Sequence, residues 1–304
     1  MPQIPGLHHV TAICDSPQAN YDFFTGPLAQ RFVKKTVNFD DPGTYHLYYG
    51  NRAAAPGSIM TYFPFVGAGP GRPGAGMATA VAYALPAGAL NGAMERLAEA
   101  GTDFVGPFER FGAPAITVRD PDGLAVDLIE TAGAGDPLGT FHSVTLRVAD
   151  VGPTAKLLTD IFGYSQTGEE APTDDHTAPR LRFTAEGAGP GGIVDIERSG
   201  APGRPGVGTI HHIAFRARPP DEQHHWRETL LTAGFQVTPV IDRQYFHAIY
   251  FREPGGILFE IATDPPGFAT DEPADRLGEA LMLPGQYEGM RAKIEAGLPP
   301  LKTR

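Results

Sequence analysis

Two phrases of the chain open on paired histidines, LHHVTAI at 7–13 and IHHIAFR at 210–216, and a third, PGGILFE at 254–260, closes on a glutamate. Glu260 stands between Phe259 and Ile261, where an ionised carboxylate is costly unless it is paired or metal-bound. His9, His212 and Glu260, two imidazoles and one carboxylate on strand positions, make the ligand set of a facial triad. Such a set leaves coordination positions open and suits Fe(II) or Mn(II), whereas closed structural zinc sites use four protein ligands. The chemistry to expect is that of one divalent metal with room for substrate.

The elements that carry these residues recur. A turn-then-strand phrase appears as PGSIMTY (56–62), PDGLAVD (121–127), PGGIVDI (190–196) and PGGILFE (254–260), each a preset turn running into an apolar strand. Upstream of each stands a strand phrase: LHHVTAI, ATAVAYA (78–84), FHSVTLR (141–147) and IHHIAFR. Helical patterns lie between them at 16–29, 89–101, 151–163 and 221–235. Ser16 is the candidate N-cap of the first, with Pro17 at its first position, and Gly101 closes the second. Further strand-like runs follow each helix, so the unit is strand, helix, three strands, four times over.

Laid over one another, the units carry His9, Ala80, Ser143 and His212 in the first-strand column, and Tyr62, Asp127, Ile196 and Glu260 in the last. Asp127 has no histidine partners and is expected to be a relic or a hydrogen-bonding residue. Metal ligands must meet within about 2.0–2.2 Å of one ion. Unit one (5–66) should therefore sit beside unit four (208–264), with units two and three pairing without a metal. The segment TAGAGDPLG (131–139) divides the chain into two expected domains, 5–132 and 139–268, and 269–304 reads as a short helical tail.

Composition sets the limits. With 304 residues, 41% hydrophobic and 19% charged, the chain is an ordinary globular sequence longer than one average domain. Its net charge of −11, without a basic run, argues against nucleic acid and membrane surfaces as partners. The single cysteine, Cys14, excludes an intrachain disulfide and a cysteine zinc knuckle. No charged-then-apolar leader and no bilayer-length apolar run are seen, so a cytoplasmic protein is expected. A homo-oligomer is compatible with all of this.

The repeated unit with its histidine and glutamate columns resembles the vicinal oxygen chelate superfamily. Within it, GLHHVTAI, FVKKTVNFDDPGTYHLYYG and RQYFHAIYFREPGGILFEIATDPPGF are similar to the ring-cleaving hydroquinone dioxygenases, over about residues 5 to 268 and on to the LPPL tail. The opening and closing phrases are specific; the middle units are not. The resemblance implies an α+β fold of four βαβββ units in two barrel-like open sheets. It implies Fe(II) on His9, His212 and Glu260, with Mn(II) as the other candidate, and a small aromatic substrate and dioxygen as partners. It further implies roles close to the metal for His8, Thr11, His211, Arg243 and Tyr250, among them a base at His211 or His8 and hydrogen bonds to substrate from Arg243 and Tyr250.

Thr11 shares a strand face with His9, whereas strict alternation points His8 and His211 away from it. His46 and Tyr48 share a strand parity and are candidates for the cavity wall, as is His247 between Arg243 and Tyr250; His224 and His225 fall at a helix start and read as solvated. Three rivals stay open. An extradiol catechol dioxygenase would use the same triad. A glyoxalase or epimerase generally adds a fourth protein ligand, where this chain has Tyr62 in its last-strand column. A drug-sequestering protein of the same fold needs no triad.

Overall fold

A computed structural model describes residues 3–135, 138–171, 179–189 and 191–303. Asp136 and Pro137 of the dividing segment, Pro190 of the third turn phrase and Arg304 of the tail lie outside the described residues. The first unit comprises Leu7–Cys14 (β1), Pro17–Thr25 (α1), Arg31–Val37 (β2), Tyr45–Gly50 (β3) and Ile59–Pro64 (β4). The second has Met77–Pro86 (β5), Leu90–Glu99 (α2), Phe104–Arg110 (β6), Ala113–Arg119 (β7) and Ala125–Thr131 (β8). In the third, Phe141–Val148 (β9) leads into Val151–Lys156 (α3), a π-helical turn at Leu157–Ile161, then Ser165–Glu170 (β10), Arg180–Thr184 (β11) and Ile193–Arg198 (β12). The fourth has Thr209–Ala217 (β13), Pro220–Thr232 (α4), Ile241–Asp242 (β14), Phe246–Arg252 (β15) and Leu258–Pro266 (β16).

These strands form two curled, open half-barrels of eight strands each, ordered β14-β15-β16-β13-β1-β4-β3-β2 and β10-β11-β12-β9-β5-β8-β7-β6. The first sheet takes the first and last units of the chain and the second takes the middle two. Each sheet is sewn by one antiparallel seam, β1 against β13 and β5 against β9, and the units on either side of a seam are related by a pseudo-twofold. None of the described helices is long and apolar enough to cross a membrane.

Local chemistry explains the framing. Ser16 Oγ accepts the Ala19 N–H at 3.2 Å and Pro17 opens α1, which gives that helix a cap and a preset first turn. α1 ends at Thr25, before Pro27, which cannot continue it. Every residue of β1 is buried, because one face meets the core under the helices and the other closes the concave side. Val10, Ala12 and Cys14 join that core. His9, by the pleat, faces the hollow. The tail, with its last helix at Arg291–Gly297 (α5), covers the β2 edge: Leu281 bridges Lys35, and the fully buried Lys34 ammonium meets Asp271 at 2.6 Å. Tyr287 holds the Phe39 carbonyl at 2.7 Å, which fixes a loop beside the hollow.

Candidate metal centre

His9 on β1, His212 on β13 and Glu260 on β16 converge in the hollow of the first sheet, with ligand atoms all within 4.8 Å of one another. Glu260 Oε2 lies 3.0 Å from His212 Nε2 and 3.4 Å from His9 Nε2. Two ligands at right angles about an ion, each about 2.1 Å from it, stand about 3.0 Å apart, so the spacing fits a facial set. All three side chains are buried. Yet both Glu260 oxygens and His212 Nε2 lack an aligned hydrogen-bond partner. Orphaned buried acceptors of that kind are expensive unless something binds them, and a divalent cation fits these donors. Burial pushes the Glu260 carboxyl up, but the facing His9 and His212 outweigh it and hold it well below the usual carboxylate range. For His212 the larger effect is burial, which pulls its imidazole down toward the neutral form that a metal requires.

The neighbouring histidines are positioned by two β-bulges. Along the seam Leu7 pairs with Phe215 and His9 with Ala214, so His8 is an extra residue; Thr11 pairs with His212 and Ala12 with Ile210, so His211 is extra on the other strand. Each extra imidazole lies beside its ligand, His8 Nδ1 2.9 Å from His9 Nδ1 and His211 Nδ1 2.7 Å from His212 Nδ1. A ligand that gives Nε2 to a metal keeps its proton on Nδ1 and donates it outward. With a metal on the Nε2 atoms of His9 and His212, His8 and His211 would accept at Nδ1 and carry their own proton on Nε2. His8 is buried behind His9, and His211 lines the cavity.

A cavity of about 260 Å³ opens beside the triad, walled by rings such as Phe63, Phe65 and Phe246. His46, Tyr48, Arg243 and Tyr250 line it. Arg243 Nε donates to the Tyr250 hydroxyl at 3.2 Å and Nη1 meets Asp40 at 3.1 Å, so Tyr250 retains its own proton to donate, with the Glu260 carboxylate among the acceptors it faces. Burial pushes the Tyr48 and Tyr250 hydroxyls up, keeping both protonated, and pulls His46 well below its ordinary value. Thr11 is corrected from a substrate contact to a buried support: its Oγ accepts from Thr61 at 2.8 Å. His247 is also corrected. It alternates with Phe246, Ala248 and Tyr250 along β15, on the face where Ile249 and Phe251 join the core under the helices. Asn38, Phe39 and Asp40 line the cavity as well; their loop gave no periodic signal.

Strand register also corrects the last-strand column. Ala214 pairs with Glu260, and its pseudo-twofold counterpart Thr11 pairs with Thr61, so Thr61 rather than Tyr62 matches Glu260. In the second sheet the counterparts are Asp127, which pairs with Ala82, and Asp195 rather than Ile196, which pairs with Thr145. Both aspartates are engaged by side chains: Thr117 donates to Asp127 at 2.5 Å, and Arg182 holds Asp195 through two bonds of 2.8 Å. Tyr62 instead donates to Asp120 at 2.9 Å, far from any ligand role.

The model of the glyoxalase/bleomycin resistance protein/dioxygenase superfamily matches residues 6–128 and 140–261. The chain is 43% identical, over 98% of its length and 97% of the relative's, to a Bacillus subtilis (strain 168) protein named "Putative ring-cleaving dioxygenase MhqO". It is 32% identical to the chlorohydroquinone/hydroquinone 1,2-dioxygenase of Sphingobium indicum, over 96% and 95% of the two chains. The crystal structure of a "putative dioxygenase" from Bacillus subtilis superposes with a TM-score of 0.92 at 42% identity, covering 100% of this chain and 99% of that one. Glyoxalase I from Zea mays shares the fold, with a TM-score of 0.65 at 14% identity over 85% and 92% of the chains.

Proposed function

This chain belongs to the glyoxalase/bleomycin resistance protein/dioxygenase superfamily, and from that membership we propose that it is an Fe(II)-dependent dioxygenase that opens the ring of a hydroquinone. The observation that carries the reading is the buried His9–His212–Glu260 cluster, whose orphaned polar atoms face an aromatic-walled cavity. When bound, Fe(II) would bring a ring oxygen and dioxygen into contact at its open positions. The chain's own residues do the rest. His9, His212 and Glu260 would hold the ion, and His8 and His211 fix the ligand tautomers through Nδ1. Tyr250, braced by Arg243, and His211 through Nε2–H offer donors to oxygen that gains negative charge. The phenylalanine walls exclude water around a flat ring.

Thr61 at the position opposite Glu260 favours this over an isomerase, which would need a fourth ligand there. The catechol alternative is separated by experiment. Reconstitute the chain anaerobically with Fe(II), then compare kcat/KM from oxygen uptake on methylhydroquinone and 4-methylcatechol. The 1,4-diol should be cleaved at least as efficiently. A clear preference for the catechol moves the assignment to extradiol cleavage, and turnover of neither removes the dioxygenase reading.

A further inference from the structure

A chain of hydrogen bonds runs from β1 and β4 into the cavity wall. Thr61 Oγ donates to Thr11 Oγ at 2.8 Å. Having spent its proton, that hydroxyl accepts from the His46 Nε2–H, 2.8 Å away. A neutral imidazole protonated on Nε2 has only an acceptor at Nδ1, and the Tyr48 hydroxyl lies 2.8 Å from it. Tyr48 must therefore donate its one proton to His46. Each link fixes the direction of the next. Tyr48 is 1% exposed and its ring is held against Tyr245 and Phe268, so the hydroxyl cannot turn away. What remains free on its oxygen is lone-pair capacity.

We propose that Tyr48 is the specificity residue for the second hydroxyl of the substrate, held by the His46–Thr61–Thr11 chain as an obligate hydrogen-bond acceptor that selects rings bearing an O–H there. His46 is its positioning residue. The inference rests on the hydroquinone reading above and deepens it. The cavity wall then offers two kinds of group: Tyr250 and His211 donate, and Tyr48 only accepts. A ring carrying an ether oxygen at the second position would face lone pair against lone pair, and a buried polar group left unpaired is costly. Position 61 makes this arrangement available. A carboxylate there would be the counterpart of Glu260; the threonine instead links His46 to Thr11 in the chain that orients Tyr48.

The test reads binding rather than turnover. Titrate hydroquinone, 4-methoxyphenol and phenol calorimetrically into the Fe(II)-loaded chain under strict anaerobiosis. The wild type should bind hydroquinone roughly tenfold or more tightly than 4-methoxyphenol. Tyr48→Phe should bring that ratio to within about twofold, chiefly by weakening hydroquinone. His46→Leu should also collapse it, but from the other side: Tyr48 regains a free proton, so 4-methoxyphenol gains affinity. An unchanged ratio in Tyr48→Phe, or loss of 4-methoxyphenol binding in His46→Leu with Tm retained, overturns the assignment of Tyr48 while leaving the dioxygenase reading intact. A wild type that cleaves rings yet binds the diol and the ether equally also overturns it. A wild type that binds none of the three overturns both.

Discussion

Replacing Glu260 by glutamine keeps the shape of the side chain and removes the one charge in the triad. Its carboxylate lies within 3.4 Å of both ligand imidazoles and is 0% exposed, so no solvent substitutes for it. Removing one partner of a buried charge pair costs roughly 3–5 kcal/mol, about two to four decades in Kd. With free metal at a hundred times the wild-type Kd, binding stabilises the fold by about 2.7 kcal/mol. For 304 residues at about 2.1 cal/mol/K each, the unfolding entropy is about 640 cal/mol/K, so metal should raise Tm by about 4 °C. A thousandfold weaker site at the same metal concentration retains less than about 0.1 kcal/mol and a Tm rise of about 0.1 °C. Asp127→Asn, in the matching column of the second sheet, should keep the full rise. Anaerobic scanning calorimetry with and without Fe(II), alongside metal analysis, reads both variants. Equal losses in the two, or two metal equivalents per chain, would refute the assignment of the site to one sheet.

Tyr250→Phe and Arg243→Leu should load metal within about twofold of wild type yet lower kcat roughly tenfold to a hundredfold, because each removes or frees a donor at the reacting oxygen; unchanged kcat in both would remove them from the chemistry. Asp120 gives a pH prediction. Its carboxyl accepts from the Tyr62 hydroxyl and two backbone amides, but burial pushes it up from 3.8 to about 6. A folded-state value above the unfolded one means that stability is greatest below pH 3.8 and is lost as pH rises through about 6. The loss is about 3 kcal/mol by pH 7. Asp120→Asn should therefore gain on wild type between pH 4.5 and pH 7 in urea midpoints of the metal-free protein, and a difference that does not vary with pH would be contrary to it.

The repeat made much of this legible. Paired histidines at one column of the outer units, with a glutamate downstream, identified the three side chains that the first sheet brings together. What misled was the ruler. Superposition of the turn phrases on their prolines misaligns two of them, because the turn is fixed by the glycine with positive φ, at Gly57, Gly123, Gly191 and Gly256. Each lies four residues before its column residue: Thr61, Asp127, Asp195 and Glu260. In units one and three that glycine directly follows proline, and in units two and four one residue intervenes, which shifts two entries of the last-strand column by one. A left-handed backbone position is the better anchor, because glycine alone occupies it without strain. The bulges that admit His8 and His211 leave no mark on composition, since they arise from pairing with a strand some two hundred residues away. His247 departs from the expected cavity wall because Tyr250 faces the cavity and alternation along β15 places His247 on the other face. Parity did serve for His46 and Tyr48, which share a face of β3.

The pairing of the outermost units has a consequence for how the molecule comes into being. β5 and β9 belong to consecutive units, so the second sheet can close as soon as the middle of the chain has left the ribosome. β1 must wait for β13, and Glu260 is made later still. During synthesis the first unit therefore stands with its seam edge unpaired while its neighbours are already folding, and no truncated chain ending before residue 260 contains a complete ligand set. Loop closure over so long a span is slow, and an open strand edge invites pairing with other chains. Completion of the candidate site is thus tied to the last step of assembly, after the C-terminal unit has reached back to the start of the chain.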